Sequence, residues 1–400
     1  MLKSGYQKGL NESMRILQVI PYFYPTWRFG GSVKVAYDIS RKLVNRGHSV
    51  TVYTSDIKDE NLRVGTAFKE VDGINVFYFR NLSISLAKKK IFITPSLISA
   101  LKKNVRSFDI VHIHGNRTTL NPIFHHFLKK GSVPYVLQSH GGLPSIGLSK
   151  NLYDLFFGYR LLRDASKVIA LTRIEAEQYR SMGVPGEKIA IIPNGIDLSE
   201  YADLPPKGSF KRKFNIPEDR KIILYLGRIH KTKGIDLLIR AYAYLKNEMK
   251  DKDTILVIAG PDDGYLNEAR TLTNSLEVYN SVIFTGFISN EDKLKALVDA
   301  EVFVTPSFYG FPVTFLEACA VGTPIVTTSL GDTLEWIDGN VGYVTQPTPR
   351  DLAEAIYRII SGAELHRRFS KNCIKIVKSE FSIEKMVKKL MKIYEEVVER

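Results

Sequence analysis

Three side chains in the second half of the chain have the types and spacing to hold a nucleoside diphosphate. In "YLGRIHKTKGIDLL" a β-branched run ends at Arg228, a short loop follows, and Lys233 stands just ahead of a helical pattern. Two cations at a strand end beside a helix N-terminus can neutralise a diphosphate, bound or leaving. The competing reading is a solvated basic loop. Glu317, in "PSFYGFPVTFLEACAVGTPIV", is expected at the start of a small-residue helix, where a carboxylate can accept both vicinal hydroxyls of a ribose. The twelve residues before it, back to Thr305, contain no acid.

Other phosphate and metal signals are weaker. Gly30 and Gly31 in "PYFYPTWRFGGS" precede a helical pattern, so backbone N–H groups and the helix dipole there can hold a phosphate, although a Gly pair before a helix is also a plain turn. G-x-G-x-x-G and Gly-Lys are both absent, which excludes the dinucleotide fingerprint and the P-loop. "DKD" at 251–253 has D-x-D spacing but precedes its strand, as a surface turn would. Cys319 and Cys373 are isolated, so neither a disulfide framework nor structural zinc is expected.

The elements that must position these residues repeat one rhythm twice. The runs 15–20, 49–55, 74–79, 110–115, 135–141, 167–172 and 188–195 read as buried parallel strands, and the rhythm restarts with 221–228, 254–260, 281–286, 302–307, 324–329 and 341–346. Between the first two, Val35, Ile39 and Leu43 mark a helix that stops at Gly47. The expected fold class is α/β: two doubly wound Rossmann-like domains facing across a cleft. The expected divisions are a polar tail 1–13, a first domain 14–196, a second domain 197–378, and a C-terminal helix 379–400 packing back on the first domain. "DLSEYADLPPKGSF", with two prolines, reads as the linker.

A chain of 400 residues, 44% hydrophobic and 24% charged, is long enough for two or three self-supporting cores. No apolar run approaches the ~18–20 residues that span a bilayer, and "MLKSGYQKGLNES" lacks the apolar core of a signal peptide. A cytoplasmic protein is expected. The net charge of +14 is lopsided: 28 Lys and Arg face 15 Asp and Glu through residue 200, and 28 face 27 beyond it. It peaks at 86–108, where Lys88, Lys89, Lys90 and Lys102, Lys103, Arg106 flank a moderately apolar segment. Such a segment is either a solvated helix face or a patch attracted to an anionic membrane surface or acceptor. With no nucleic-acid module around the charges, nucleic acid is not an expected partner.

The run 306–326 resembles the donor signature of the large retaining glycosyltransferase family 4 of the GT-B fold, usually written Glu, Gly-Phe-Gly, then Glu eight residues after the first. Gly310, Phe311 and Glu317 match, whereas Tyr309 stands in place of the first Glu and Pro312 in place of the second Gly. "GRIHKTKG" resembles the family's diphosphate clamp, "IPNGID" its interdomain segment, "IAGP" and "FTGF" its base-side loops, and "LEWIDGNVG" its late donor-domain motif. The resemblance covers nearly the whole chain from Met14.

It implies transfer of a hexosyl-type sugar from a nucleoside-diphosphate sugar, such as a UDP- or GDP-sugar, to a glycan or lipid-linked acceptor. Anomeric configuration would be retained, and neither metal nor cofactor would be needed. Glu317 would bind the ribose, Arg228 and Lys233 the leaving diphosphate, the backbone around Gly310 and Phe311 the donor sugar, and Gly286 and Phe287 would lie beside the base. His140 in "LQSHGG" is similar to the family's histidine that reaches the donor sugar, and His112 and His114 would line the acceptor side. Tyr309 can hydrogen-bond a hydroxyl but carries no charge at neutral pH, which bears on the identity of the donor sugar. Two other readings follow from the same features: a nucleotide-sugar-binding protein that has lost transfer, and a sugar-nucleotide epimerase.

Overall fold

The computed structural model describes residues 13–399 apart from 28–29, 60, 142, 144–146 and 333. The expected tail therefore lies, up to residue 12, outside the described residues. The chain divides into two compact units, one running to Ile192 and resuming at Met386, the other spanning Pro193–Lys385.

The first unit is built on eight strands: β1 (Arg15–Val19), β2 (Ser49–Ser55), β3 (Phe68–Val71), β4 (Ile74–Phe79), β5 (Ile110–His114), β6 (Tyr135–Gln138), β7 (Lys167–Ala170) and β8 (Ile189–Ile191). Their order is β3-β4-β2-β1-β5-β6-β7-β8, parallel except where β3 pairs antiparallel with β4. Ile16, Leu17, Val50, Val52, Val111 and Ile113 are fully buried, as the centre of a sheet covered on both faces requires. Helix Gly31–Asn45 turns Val35, Ile39 and Leu43 inward. Strand β3 was not expected from "FKEV"; the signal for it was Asp72-Gly73, both at positive φ, a pair that closes a tight hairpin.

The second unit carries β9 (Lys221–Leu226), β10 (Thr254–Ala259), β11 (Val282–Gly286), β12 (Ala300–Phe308), β13 (Ile325–Gly331) and β14 (Gly342–Thr345) in the order β11-β10-β9-β12-β13-β14, all parallel. Helices Ile235–Asn247 and Pro349–Ser361 bury Leu238, Ile239, Tyr242, Ile356 and Ile359 against this sheet.

The unit boundaries differ from the expected 196/197 and 378/379, and packing is the reason. Ile196 N–H donates to Phe381 O at 3.0 Å and Ile383 N–H donates to Ile196 O at 2.8 Å, so the two connecting stretches pair with each other inside the second unit. A Cβ on Gly195 would meet Ser382 O at 2.7 Å, which explains the glycine in "IPNGID". Nor is 197–210 a loose linker. Phe210 is fully buried, and the buried Asp299 carboxylate accepts N–H groups from Gly208, Phe210 and Lys211 at 2.6, 2.8 and 3.0 Å. The last helix, Ile383–Val398, belongs from Met386 onward to the first unit, where Tyr394 is buried.

Candidate active site

The polar residues of the second unit gather at the carboxyl ends of β9, β10, β12 and β13. Arg228 leaves β9 with its guanidinium 2.5 Å from Asp263 Oδ2, in a pair whose side chains are 56% and 40% exposed. So exposed a pair contributes little to stability and yields readily to a better anion. His230 caps the turn Lys231–Lys233 through Nδ1, which accepts the Thr232 N–H at 3.2 Å. Gly234 follows in the left-handed region and opens helix Ile235–Asn247. A Cβ there would meet Pro306 Cβ at 2.9 Å, so the loop lies tight against the end of β12. Burial lowers the pKa of Lys233, and the positive charge of Arg228 lowers it further. None of the described residues forms an ion pair with its ammonium. Two cations that disfavour each other, one of them half-buried and without a carboxylate, make a site for a polyanion.

Glu317 corrects one expectation. Helix Val313–Ala320 begins directly after Pro312, so Glu317 is its fifth residue and not at its start. Its buried carboxylate is held by Lys293 Nζ, 2.6 Å from Oε1, while Oε2 has no partner among the described residues. A ribose hydroxyl would therefore bond to an already paired carboxylate and owe nothing to a helix dipole. Sequence carried no sign of Lys293, which sits 24 positions away on another helix.

The loop after β12 is tied down at both of its matched residues. Gly310, at φ 75°, donates its N–H to Asp332 Oδ2. Phe311 is buried, its ring 6.0 Å from that of Trp336 and 5.3 Å from that of Phe381, and its carbonyl accepts from Asn194 Nδ2 at 2.8 Å. Phe311 thus acts as an anchor for the loop. Tyr309 is 49% exposed and Phe287, following Gly286 at φ 68°, is 63% exposed, so both rings are free to meet a ligand. Asp251 of "DKD" accepts from Lys246 Nζ at 3.4 Å and Thr254 N at 3.2 Å, the structural turn that its position before a strand implied.

In the first unit two imidazoles form a hydrogen-bonded chain from Gln18, and a third, His112, stacks on His114 at 4.1 Å. His114 Nε2 lies 2.7 Å from Gln18 Oε1 and its Nδ1 2.8 Å from His140 Nε2. A carbonyl oxygen only accepts, so His114 Nε2 carries the hydrogen, Nδ1 accepts from His140 Nε2–H, and His140 is left with a bare Nδ1 lone pair. Burial holds the His140 pKa down to about 4 and, with the neighbouring imidazoles, that of His114 well below its usual range, so both are neutral at neutral pH. His140 itself sits at φ 56° just past β6. His112, fully buried with Nδ1 2.7 Å from Tyr394 Oη, cannot line an acceptor surface, and His114 is 98% buried in the same sheet. Alternation along β5 puts both rings on one face of the strand, and Tyr394 closes over it from the far end of the sequence. Gly30, at φ 107°, caps helix Gly31–Asn45 without a side-chain partner, and a Cβ there would meet nothing within 4 Å.

This arrangement matches known proteins over nearly its whole length. Residues 206–376 match the family described as "Glycosyl transferases group 1", and residues 29–200 match "Glycosyltransferase Family 4". The chain is 31% identical to the putative glycosyltransferase YtcC of Bacillus subtilis over 73% of this chain and 74% of that protein. The chain belongs to the GT-B glycosyltransferases of family 4. This glycosyltransferase is also 28% identical to the uncharacterized glycosyltransferase MJ1607 of Methanocaldococcus jannaschii, over 96% of this chain and 98% of that one. Its fold resembles that of Anabaena Alr3699/HepE in complex with UDP-glucose, with a TM-score of 0.78 at 19% identity, covering 96% of this chain and all of that one. Within this glycosyltransferase Arg228, Lys233, Glu317 and the Gly310 loop share one unit, whereas Gly30, Gly31, His112, His114 and His140 belong to the other.

Proposed function

We propose that the protein moves a sugar from a nucleoside-diphosphate sugar to a glycan or lipid-linked acceptor, with retention and without a metal ion. The observation that carries this reading is the pair of cations Arg228 and Lys233, whose half-buried member has no carboxylate partner among the described residues. They supply the positive charge that a departing diphosphate needs. The neutral His140, with its lone pair at Nδ1, suits a hydrogen bond from a sugar hydroxyl. The HepE complex with UDP-glucose supports a nucleotide-sugar donor. The test is incubation of the purified protein with a panel of UDP- and GDP-sugars. Release of nucleoside diphosphate is the expected result; an altered sugar on an intact diphosphate would instead establish an epimerase, and binding without turnover a protein that has lost transfer.

The acceptor reading extends to a membrane surface. Among the described residues no helix is long and apolar enough to cross a bilayer. The basic segment 86–108 exposes Ile91, Ile93 and Ile98. Beside it, 148–159 exposes Leu148, Leu152, Leu155, Phe156 and Tyr159. Both segments rest on one turn, since Tyr153 Oη donates to Thr118 O at 2.9 Å and Thr119 Oγ1 accepts the Phe92 N–H at 2.6 Å. Lys129, Lys130, Arg160 and Arg163 line a groove of ≈ 730 Å³ whose wall includes Phe156 and Phe157. Apolar side chains flanked by cations suit an anionic interface, each cation contributing on the order of 1 kcal/mol. The protein is expected to float with anionic but not neutral vesicles, and to be released at high salt, where the Debye length falls from about 10 Å to about 3 Å. Changing Lys88, Lys89, Lys90, Lys102, Lys103 and Arg106 to Gln is expected to abolish flotation. A protein that stays in the soluble fraction with anionic vesicles at low salt rules out this attachment and leaves the transferase reading intact.

A further inference from the structure

The chain has no acid from Thr305 to Leu316, the stretch that closes β12 and begins the donor-side loop. The neighbouring strand brings one to the same place. β12 and β13 run parallel with Phe308 beside Gly331, so Tyr309 and Asp332 leave the sheet side by side. Asp332 is then fixed from two directions: its N–H donates to Phe308 O at 2.9 Å, and its Oδ2 accepts the Gly310 N–H. The carboxylate therefore lies over the turn that Tyr309 opens. Its Oδ1 has no partner among the described residues. Burial raises the Asp332 pKa, with the Gly310 N–H opposing the rise, the balance of a carboxylate held mostly away from water. On the other side of β12, Gly234 of the clamp loop packs against Pro306 and Ser307. A diphosphate held by Arg228 and Lys233 would thus carry its sugar close to the ends of β12 and β13.

We infer that Asp332 binds the donor sugar, its free carboxylate oxygen accepting a hydroxyl hydrogen at the position where Tyr309 offers no charge. The inference rests on the glycosyltransferase reading and adds a determinant of donor choice: a carboxylate built to meet a hydroxyl discriminates against a donor that lacks it, because the charged oxygen is then left without a partner. Tyr309, exposed beside it, contributes a second hydroxyl contact or a ring face, and the negative charge comes from β13.

Asp332→Asn separates this role from a purely structural one. The amide oxygen still accepts from Gly310 N–H, so the loop keeps its anchor while the charge is removed. The variant is to be compared with the unaltered protein in calorimetric binding of free UDP and GDP, and in kcat/KM with whichever UDP- or GDP-sugar the unaltered protein turns over. Unchanged affinity for the free nucleoside diphosphate with a fall of about tenfold or more in kcat/KM is expected. Unchanged kcat/KM overturns the inference. So does an equal loss in nucleoside diphosphate affinity, which would assign Asp332 to holding the loop. Should Asp332→Asn unfold, Asp332→Glu keeps the charge and displaces it by one methylene; donor preference across the panel should then shift, and an unshifted preference overturns the inference. Failure of the glycosyltransferase reading looks different, because the unaltered protein would then turn over no donor at all.

Discussion

Lys233→Ala is expected to lower turnover by about 10²–10³, the cost of removing one preorganised group that stabilises charge developing in a transition state, or roughly 3–4 kcal/mol. Folding should be unaffected or slightly improved. Burial and the Arg228 charge lower the Lys233 pKa, so the folded protein disfavours the charged amine. For a base with a lowered pKa this penalty is present in full at neutral pH and disappears only as pH rises past the ordinary lysine value, so removing the amine at pH 7 relieves it. The measurements are kcat with the active donor and thermal denaturation of both proteins. A bound diphosphate reverses the balance and raises the Lys233 pKa, so binding should take up protons at alkaline pH, between the lowered value of the free protein and the raised value of the complex. Calorimetry in buffers of different ionisation enthalpy reads that uptake. If the two cations do the work of a metal, turnover persists in excess EDTA; activity lost in chelator and restored by magnesium or manganese would overturn the metal-free mechanism.

Glu317→Ala is expected to weaken binding of the free nucleoside diphosphate about ten- to a hundredfold, since a hydrogen bond to a charged group contributes roughly 1.5–3 kcal/mol. The Lys293 pair complicates a single substitution, because alanine also leaves the half-buried ammonium without its carboxylate. A 2′-deoxy nucleoside diphosphate resolves this. If Glu317 bonds the ribose hydroxyls, the loss on removing the 2′-hydroxyl and the loss on removing the carboxylate should overlap, so the two together cost clearly less than their sum. Unchanged affinity of Glu317→Ala for UDP and GDP, or fully additive losses, would remove Glu317 from the ribose site.

Much of the fold was legible because strands and helices are written locally. Runs such as "RILQVI" and "KIILYL" are buried on both faces, and that burial appears directly as unbroken apolar sequence. The turn that carries the two cations was legible for a similar reason: Arg228, His230, Lys233 and Gly234 are a few residues apart between one strand and the next helix, so their spacing in sequence is nearly their spacing in space. What had to come from the tertiary structure was every pairing between distant segments. Lys293 with Glu317, Tyr394 with His112, Asp332 with Gly310, and Asp299 with the N–H groups after Pro206 each join residues whose sequence environments say nothing of one another. Two prolines made 197–210 look like a linker, because composition reports local chain stiffness and not the buried carboxylate that captures it. The helix start at Val313 was likewise decided by where Pro312 ends the loop and by Phe311 docking on Trp336 and Phe381. Sequence alone determined that Arg228 and Lys233 share one strand-to-helix turn. The register of β12 against β13 decided which carboxylate stands beside Tyr309, since parallel pairing brings the carboxyl ends of the two strands together.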